Sequence, residues 1–512
     1  MSAGKNKPNV LLIMCDQLCA SVLGAYGGTA DTPNIGRLAE NGTVFDAAYC
    51  QTPFCSPSRA SLITGLYPHR HGIVGNVNSL DYPAMGVGAQ GSAGGEGITN
   101  RDVMTESILH ANGYKTAHLG KWHISSGDAL SCYDSMYREH QEYGFEMREV
   151  FERVEKQPRD RYMDWYGWKL PVTLNREYAE CLNALPERLK NRTLYEFYSK
   201  FGRLELPVED TFDYKIASKG VDNIMSAKEP FMLTCSFNMP HDPNVVPSPY
   251  YESVDMRRIK ADASLPCDAA YLKDLSKDVP AHAGDAFLRE FLRVYYAAVN
   301  LVDEQIGRLL NALEKRGIAE NTVIILTADH GDMAGGHGMF WKATTAFYEE
   351  VARVPLIISA PGTGTTGTTG TTGRNLRYGK PVELVDVMPT ILELCGFKSP
   401  ANIDGVSAAP VFSGGESKKN TALCERLRFG SGDKRAAHTS DENYNFMLRT
   451  GRYKYVIHHN NGNTAQLLFD LESDPGEYTN LIGLHEHKET EREMRSLLRV
   501  RLAESGYALE VK

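Results

Sequence analysis

Two short stretches of this chain are apolar without a break: Asn9 to Cys15 (NVLLIMC) and Thr322 to Ala328 (TVIILTA). A strand with one wet face alternates apolar and polar residues. An unbroken run of strand length fits a sheet that helices cover on both faces. Each run leads into a carboxylate, Asp16 in one case and Asp329 in the other. In a doubly wound sheet the carboxyl ends of the strands open onto the ligand crevice, so both acids are expected there. Phe231 to Phe237 (FMLTCSF) and Val354 to Ser359 (VPLIIS) read as further core strands, with helices over Thr105 to Asn112 and Asp285 through Lys315. The alternation predicts an α/β fold built on a doubly wound, mostly parallel central sheet.

At 512 residues the chain is too long for one ordinary core. Beyond Gly405 the apolar pattern thins. Met447 to Leu448, Tyr453 to His458 and Leu467 to Leu471 then read as short strands, followed by a helix from about His485 to Ser505. We therefore expect a catalytic domain over 1–415 and a smaller α+β subdomain of antiparallel strands and a helix over 416–512. The stretch 137–211 is rich in Tyr, Trp, Arg and Glu, lacks a clear strand pattern, and reads as an insertion over the active-site face. Gly362 to Gly373 repeats Thr-Thr-Gly, the composition of a flexible loop.

The formal charge of −9 argues against a nucleic-acid partner, so an anionic substrate must be held by a local cluster of cations. No apolar run reaches the roughly 18 residues that span a bilayer. The run from Val10 to Cys15 is too short for a secretory signal, so the chain reads as cytoplasmic, or periplasmic if a leader has been removed. Its 10 cysteines follow no disulfide or zinc spacing.

From Cys55 to Gly65 the sequence is Cys-Ser-Pro-Ser-Arg-Ala-Ser-Leu-Ile-Thr-Gly. Ser56 suits an N-cap, Pro57 the first helical position and Gly65 the helix end. Cys55 would then lie beside open amides at the positive end of a helix, where thiolates and anions are favoured, with Arg59 one turn further on. This is an anion site with a nucleophile beside it. A cysteine-type phosphatase would need Arg six positions after the Cys, where Ser61 stands. Asp16-Gln17 and Asp329-His330 are metal-type pairs that together offer two carboxylates, an amide oxygen and an imidazole. A lone carboxylate in such a place usually caps a helix, but two pairs with the same arrangement are harder to dismiss.

Cys55, Pro57, Ser58, Arg59, Thr64 and Gly65 resemble the signature of the formylglycine-dependent sulfatases of the alkaline phosphatase superfamily. The resemblance continues through Asp16, Lys121-Trp122-His123, Met239-Pro240-His241-Asp242-Pro243, Asp329-His330 and Lys342, and more loosely through Gly451 to Lys454 and Asp470 to Leu481. It implies that Cys55 is oxidised to formylglycine by a formylglycine-generating or anaerobic maturation enzyme. It also implies that Asp16, Gln17, Asp329, His330 and residue 55 hold one divalent cation. Gln17 stands where many members have a second Asp. Family habit puts Ca²⁺ first and the imidazole makes Mn²⁺ the alternative.

On this resemblance Arg59, Lys121 and Lys342 supply the positive charge around the sulfate. His123 serves as base at the aldehyde hydrate, and His241 donates to the departing oxygen. The implied activity is hydrolysis of a sulfate monoester of a carbohydrate, alkyl or aryl alcohol to the alcohol and inorganic sulfate. A phosphonate monoester or phosphodiester hydrolase of the same superfamily is the alternative. The expected partners are a small sulfated substrate and the maturation enzyme, with no nucleic acid or membrane, and an oligomer is left open. His69 and His71 read as structural and Asp332 as a turn cap. His337 is divided between a substrate contact and a loop role, and Arg159, Arg161, Trp165 and Trp168 between a substrate wall and a packed lid.

Overall fold

The computed structural model describes residues 7–77, 97–98, 103–124, 134–138, 162–165, 168–187, 201–259, 278–342, 347–361, 375–427, 443–460 and 462–507. Its largest sheet has eight strands: β1 (Asn9–Asp16), β2 (Thr43–Phe45), β3 (Lys115–Gly120), β4 (Ser135–Arg138), β5 (Phe231–Pro240), β6 (Thr322–Ala328), β7 (Leu356–Ser359) and β8 (Leu376–Tyr378). Their spatial order is β8-β2-β7-β6-β1-β5-β3-β4. β1 lies between β6 and β5, parallel to both, and only β7 runs against its neighbours. Cys15 pairs with Ala328, so Asp16 and Asp329 leave the same edge of the sheet side by side.

The unbroken apolar runs have the expected cause. Leu11 and Ile13 of β1 and Val323 and Ile325 of β6 are fully enclosed in one core. The same core takes side chains from α1 (Cys55–Thr64), α2 (Phe212–Ser226) and α3 (Asp278–Arg316), among them Ile63, Ile216, Val302, Ile306 and Leu309. Each such aliphatic side chain contributes about 1.5–3 kcal/mol by leaving water. α3 bends at Gly284, whose φ of 60° departs from helical geometry.

The strand expected from Val354 starts later, at Leu356, and is antiparallel. Pro355 has no N–H to give a ladder, and Val354 instead donates its N–H to the Ala48 carbonyl. The second sheet is larger than the sequence suggests. β9 (Ala422–Leu427), β10 (Asn443–Arg449), β11 (Tyr453–Asn460) and β12 (Asn463–Asp470) form an antiparallel sheet in chain order. β9 was not expected, because its Glu425 and Arg426 break the apolar run while serving as internal partners. Glu425 binds His69, and Arg426 donates to the Val74 carbonyl. α4 (Lys488–Glu504) lays Met494, Leu498 and Leu502 on Phe446, Tyr455 and Ile457.

Within 137–211 the described residues do contain strands, contrary to the expectation. Tyr162–Trp165, Trp168–Thr173 and Gly202–Leu204 join Val245–Pro247 in a four-stranded sheet, and Arg176–Ala184 is a helix. Arg159, Arg161 and the Thr-Thr-Gly repeat lie outside the described residues. Among the described residues no helix is long and apolar enough to cross a membrane.

Candidate active site

Asp16 ends β1 and Asp329 directly follows β6, so two neighbouring parallel strands deliver both carboxylates. α1 delivers the third group. It begins at Cys55 itself, because Phe54 (φ −152°, ψ 133°) is the extended residue before the first turn. Ser56 is therefore inside the helix and not its cap. Its hydroxyl donates to the His123 carbonyl and accepts the Val77 N–H at 3.0 Å, tying the helix start to the loop after β3. Gly65 closes the helix in the left-handed conformation, with φ 69°.

Ligand atoms of Asp16, Cys55, Asp329 and His330 all lie within 4.8 Å of one another, and all four residues are fully buried. Cys55 Sγ is 3.3 Å from His330 Nε2 and 3.8 Å from Asp16 Oδ1. His330 Nδ1 lies 2.8 Å from the Gly331 carbonyl, which takes its proton and leaves Nε2 for the cluster. Only glycine fits at position 331, where a Cβ would lie 1.8 Å from the Glu350 carbonyl. Gln17, left-handed at φ 63°, donates its backbone N–H to Asp329 Oδ1 at 3.0 Å and its Nε2 to Asp332 Oδ2 at 2.5 Å. Its Oε1 is buried and accepts no hydrogen bond among the described residues.

Arg59 is spent on positioning. Nε donates to Asp329 Oδ2 at 2.8 Å and Nη2 to Asp16 Oδ2 at 3.2 Å. Nη1 reaches Ser236 Oγ at 2.8 Å and the Lys121 carbonyl at 3.0 Å. Ser236 is one of the residues that sequence reasoning missed; a hydroxyl inside the apolar run FMLTCSF was the available signal. The Lys121 ammonium pairs with Asp16 Oδ2 and lies 3.8 Å from Cys55 Sγ. The chain can turn there because Gly120 has φ 102°, and a Cβ would fall 2.0 Å from the Ser236 carbonyl. From β5 and the loop after β6, His241 and Lys342 meet, with Nε2 and Nζ 2.6 Å apart. His241 Nδ1 faces Asp242, at 2.7 Å from its carbonyl and 3.2 Å from its carboxylate.

The electrostatics follow from this crowding. Burial raises the Cys55 thiol, but Lys121, Lys342, His330 and a hydrogen bond from the His123 side chain outweigh it and hold it well below the usual range. Burial and Cys55 push the Asp16 carboxyl up, yet Lys121, His241 and Arg59 bring it below the ordinary range. Burial lowers His330, while Asp329 and Cys55 lift it to about 9. Burial raises Asp332 to about 6 against the hydrogen bonds from Ala334 and Gln17. A divalent cation suits this set: two carboxylates, an imidazole and an amide oxygen without another partner among the described residues, all buried.

The remaining candidates have partners of their own. His69 bridges Glu425 (2.8 Å) and the Ser505 carbonyl (2.9 Å), and His71 Nε2 is 3.1 Å from Ser61 Oγ. His337 stacks on Tyr348 at 3.8 Å between centroids. Asp332 does cap a turn, accepting the Ala334 N–H at 2.7 Å, but it also holds Gln17, a partner the sequence did not disclose.

Fold and site define a hydrolase of the alkaline phosphatase superfamily. A family model described as Sulfatase matches residues 8–397, and one described as N-sulphoglucosamine sulphohydrolase, C-terminal, matches residues 335–504. The chain belongs to the sulfatase family and is a sulfuric ester hydrolase. It is similar to an arylsulfatase of Clostridium perfringens, at 28% identity over 98% of this chain and 96% of that protein. It is also similar to arylsulfatase K of Xenopus laevis, at 26% identity over 97% of this chain and 84% of that protein. In fold it resembles the solved phosphonate monoester hydrolase of Agrobacterium radiobacter, with a TM-score of 0.74, 22% identity and coverage of 97% and 96% of the two chains.

Proposed function

We propose that the enzyme hydrolyses a sulfate monoester of a carbohydrate, alkyl or aryl alcohol, with formylglycine made from Cys55 as the source of the nucleophile. The observation that carries this reading is the buried convergence of Asp16, Cys55, Asp329 and His330 within 4.8 Å. These four and Gln17 would hold one divalent cation. With residue 55 as formylglycine, four of the five donors are side-chain oxygens, which favours Ca²⁺, with Mn²⁺ the alternative. Bound there, such an ion supplies positive charge against the sulfuryl oxygens and lowers the pKa of the attacking hydroxyl.

Lys121 and Lys342 add fixed charge where negative charge gathers in the transition state. Arg59 acts through Asp16 and Asp329, whose carboxylates it orients. His123 takes a proton from the hydrate at position 55, and His241 gives one to the departing oxygen, a role general acids support by about 10²–10⁴-fold. A maturation enzyme is implied by the aldehyde. Gly202–Leu204 pairs with Val245–Pro247, close in sequence to His241, which supports placing the 137–211 insertion over the active-site face. The division into 1–415 and 416–512 is proposed because the eight-stranded sheet lies wholly in the first part and the C-terminal antiparallel sheet wholly in the second.

Mass spectrometry of the tryptic peptide containing position 55 tests the nucleophile. Active protein should show the aldehyde in place of the thiol; full activity with an intact thiol would refute the assignment. Turnover of 4-nitrophenyl sulfate against phenyl phosphonate esters tests the reaction. A strong preference for phosphorus would select the phosphonate alternative, which the likeness in fold to the Agrobacterium enzyme keeps in view.

A further inference from the structure

We infer that Asp332 is a positioning residue that fixes the Gln17 amide as an oxygen donor to the cation. The inference rests on the metal reading proposed above. Asp332 is fully buried, and two donors from different parts of the chain end on its two oxygens. Ala334 N–H meets Oδ1 at 2.7 Å, and Gln17 Nε2 meets Oδ2 at 2.5 Å. A carboxylate accepts at both ends, whereas a primary amide has one accepting and one donating end. The pairing therefore assigns the two ends of the Gln17 side chain. Its nitrogen is committed to Asp332, and Oε1 is the end left to offer, on a residue whose backbone N–H already donates to Asp329 Oδ1 at 3.0 Å. That oxygen is buried and accepts nothing else among the described residues, an arrangement that costs free energy unless a cation or donor meets it.

The consequence can be reversed by design. Asn at position 332 has a single acceptor for two donors. If it serves Ala334, its own NH₂ faces Gln17, and the Gln17 amide must turn its nitrogen toward the cation. If it serves Gln17, the turn at Ala334 loses its bond. Asp332→Asn should therefore weaken cation binding by about 10- to 100-fold, the usual cost of losing the partner that orients a ligand. Gln17→Glu alone sets two carboxylates against each other in a dry site and should weaken it as well. The double variant Gln17→Glu/Asp332→Asn restores a donor facing an acceptor and leaves an oxygen for the ion.

The test is calorimetric titration of Ca²⁺ and of Mn²⁺ into chelator-stripped wild type, both single variants and the double variant, with unfolding in EDTA measured alongside. Weakened binding in each single variant, recovery in the double variant and near-constant stability in EDTA support the positioning role. Wild-type affinity in Asp332→Asn, or a loss in EDTA stability that Gln17→Glu does not repair, would make Asp332 a turn residue only. Wild-type protein that takes up neither ion would overturn the metal reading and this inference with it.

Discussion

Lys342 Nζ lies 2.6 Å from His241 Nε2, and His241 Nδ1 faces Asp242. Burial lowers the His241 pKa, Asp242 raises it and Lys342 lowers it, and the balance lies above the ordinary histidine value. A general acid must start protonated, so kcat/KM should fall as pH rises through that raised pKa. Asp242→Asn removes the main raising charge, so the basic limb of the pH profile should move to lower pH. His241→Ala should cost alkyl sulfates about 10²–10⁴-fold and 4-nitrophenyl sulfate much less, because a good leaving group needs no proton. Paired kinetics on the two esters check this, and equal losses would take His241 out of the acid role. The motif residues were legible one at a time, since each is a polar residue in a recurring local setting. Their partners were not. Ser236 and Asp332 act through single contacts with Arg59 and Gln17, which only the folded chain brings near.

Lys454 of β11 is fully buried and reaches Glu349 at 2.8 Å, Glu477 at 2.7 Å and the Phe347 carbonyl at 2.9 Å. Glu477 in turn accepts the Glu349 N–H at 2.6 Å. Gly451 to Lys454 and Asp470 to Leu481, the looser part of the family resemblance, supply Lys454 and Glu477 to one buried charge junction that holds Glu349, shortly after Lys342 in the chain. Lys454→Ala leaves two carboxylates in a dry site and should destabilise the fold by about 3–5 kcal/mol, measured by denaturant unfolding. At this scale the sequence was clearest where burial is symmetric. β1 and β6 announced themselves because both faces are covered. β9 did not, because its charged residues point to partners far along the chain, and β2 and β8, at three residues each, are too short to carry a period.

The C-terminal antiparallel sheet is tied to the segments around Tyr67 and Glu383 through polar groups as well as apolar ones. Glu383 accepts Tyr67 Oη at 2.8 Å and the Leu423 N–H at 2.9 Å, and Lys419 bridges Glu383 (2.5 Å) and Asp386 (2.7 Å). The molecule carries a formal charge of −9, and its catalytic crevice gathers buried acids. A cation that binds only the folded state should therefore raise stability, by about 2.7 kcal/mol at a hundred times its Kd. Thermal unfolding in EDTA and in graded Ca²⁺ checks this, and a midpoint indifferent to the ion would count against the site.

Cys55 has no exposed surface in the folded chain. On the proposed chemistry, an enzyme that rewrites this side chain must therefore meet it while the polypeptide is still open, during or soon after synthesis. Timing then governs yield: a molecule that closes around an unconverted thiol is well formed, stable and inert, and later exposure to the converting enzyme leaves it so.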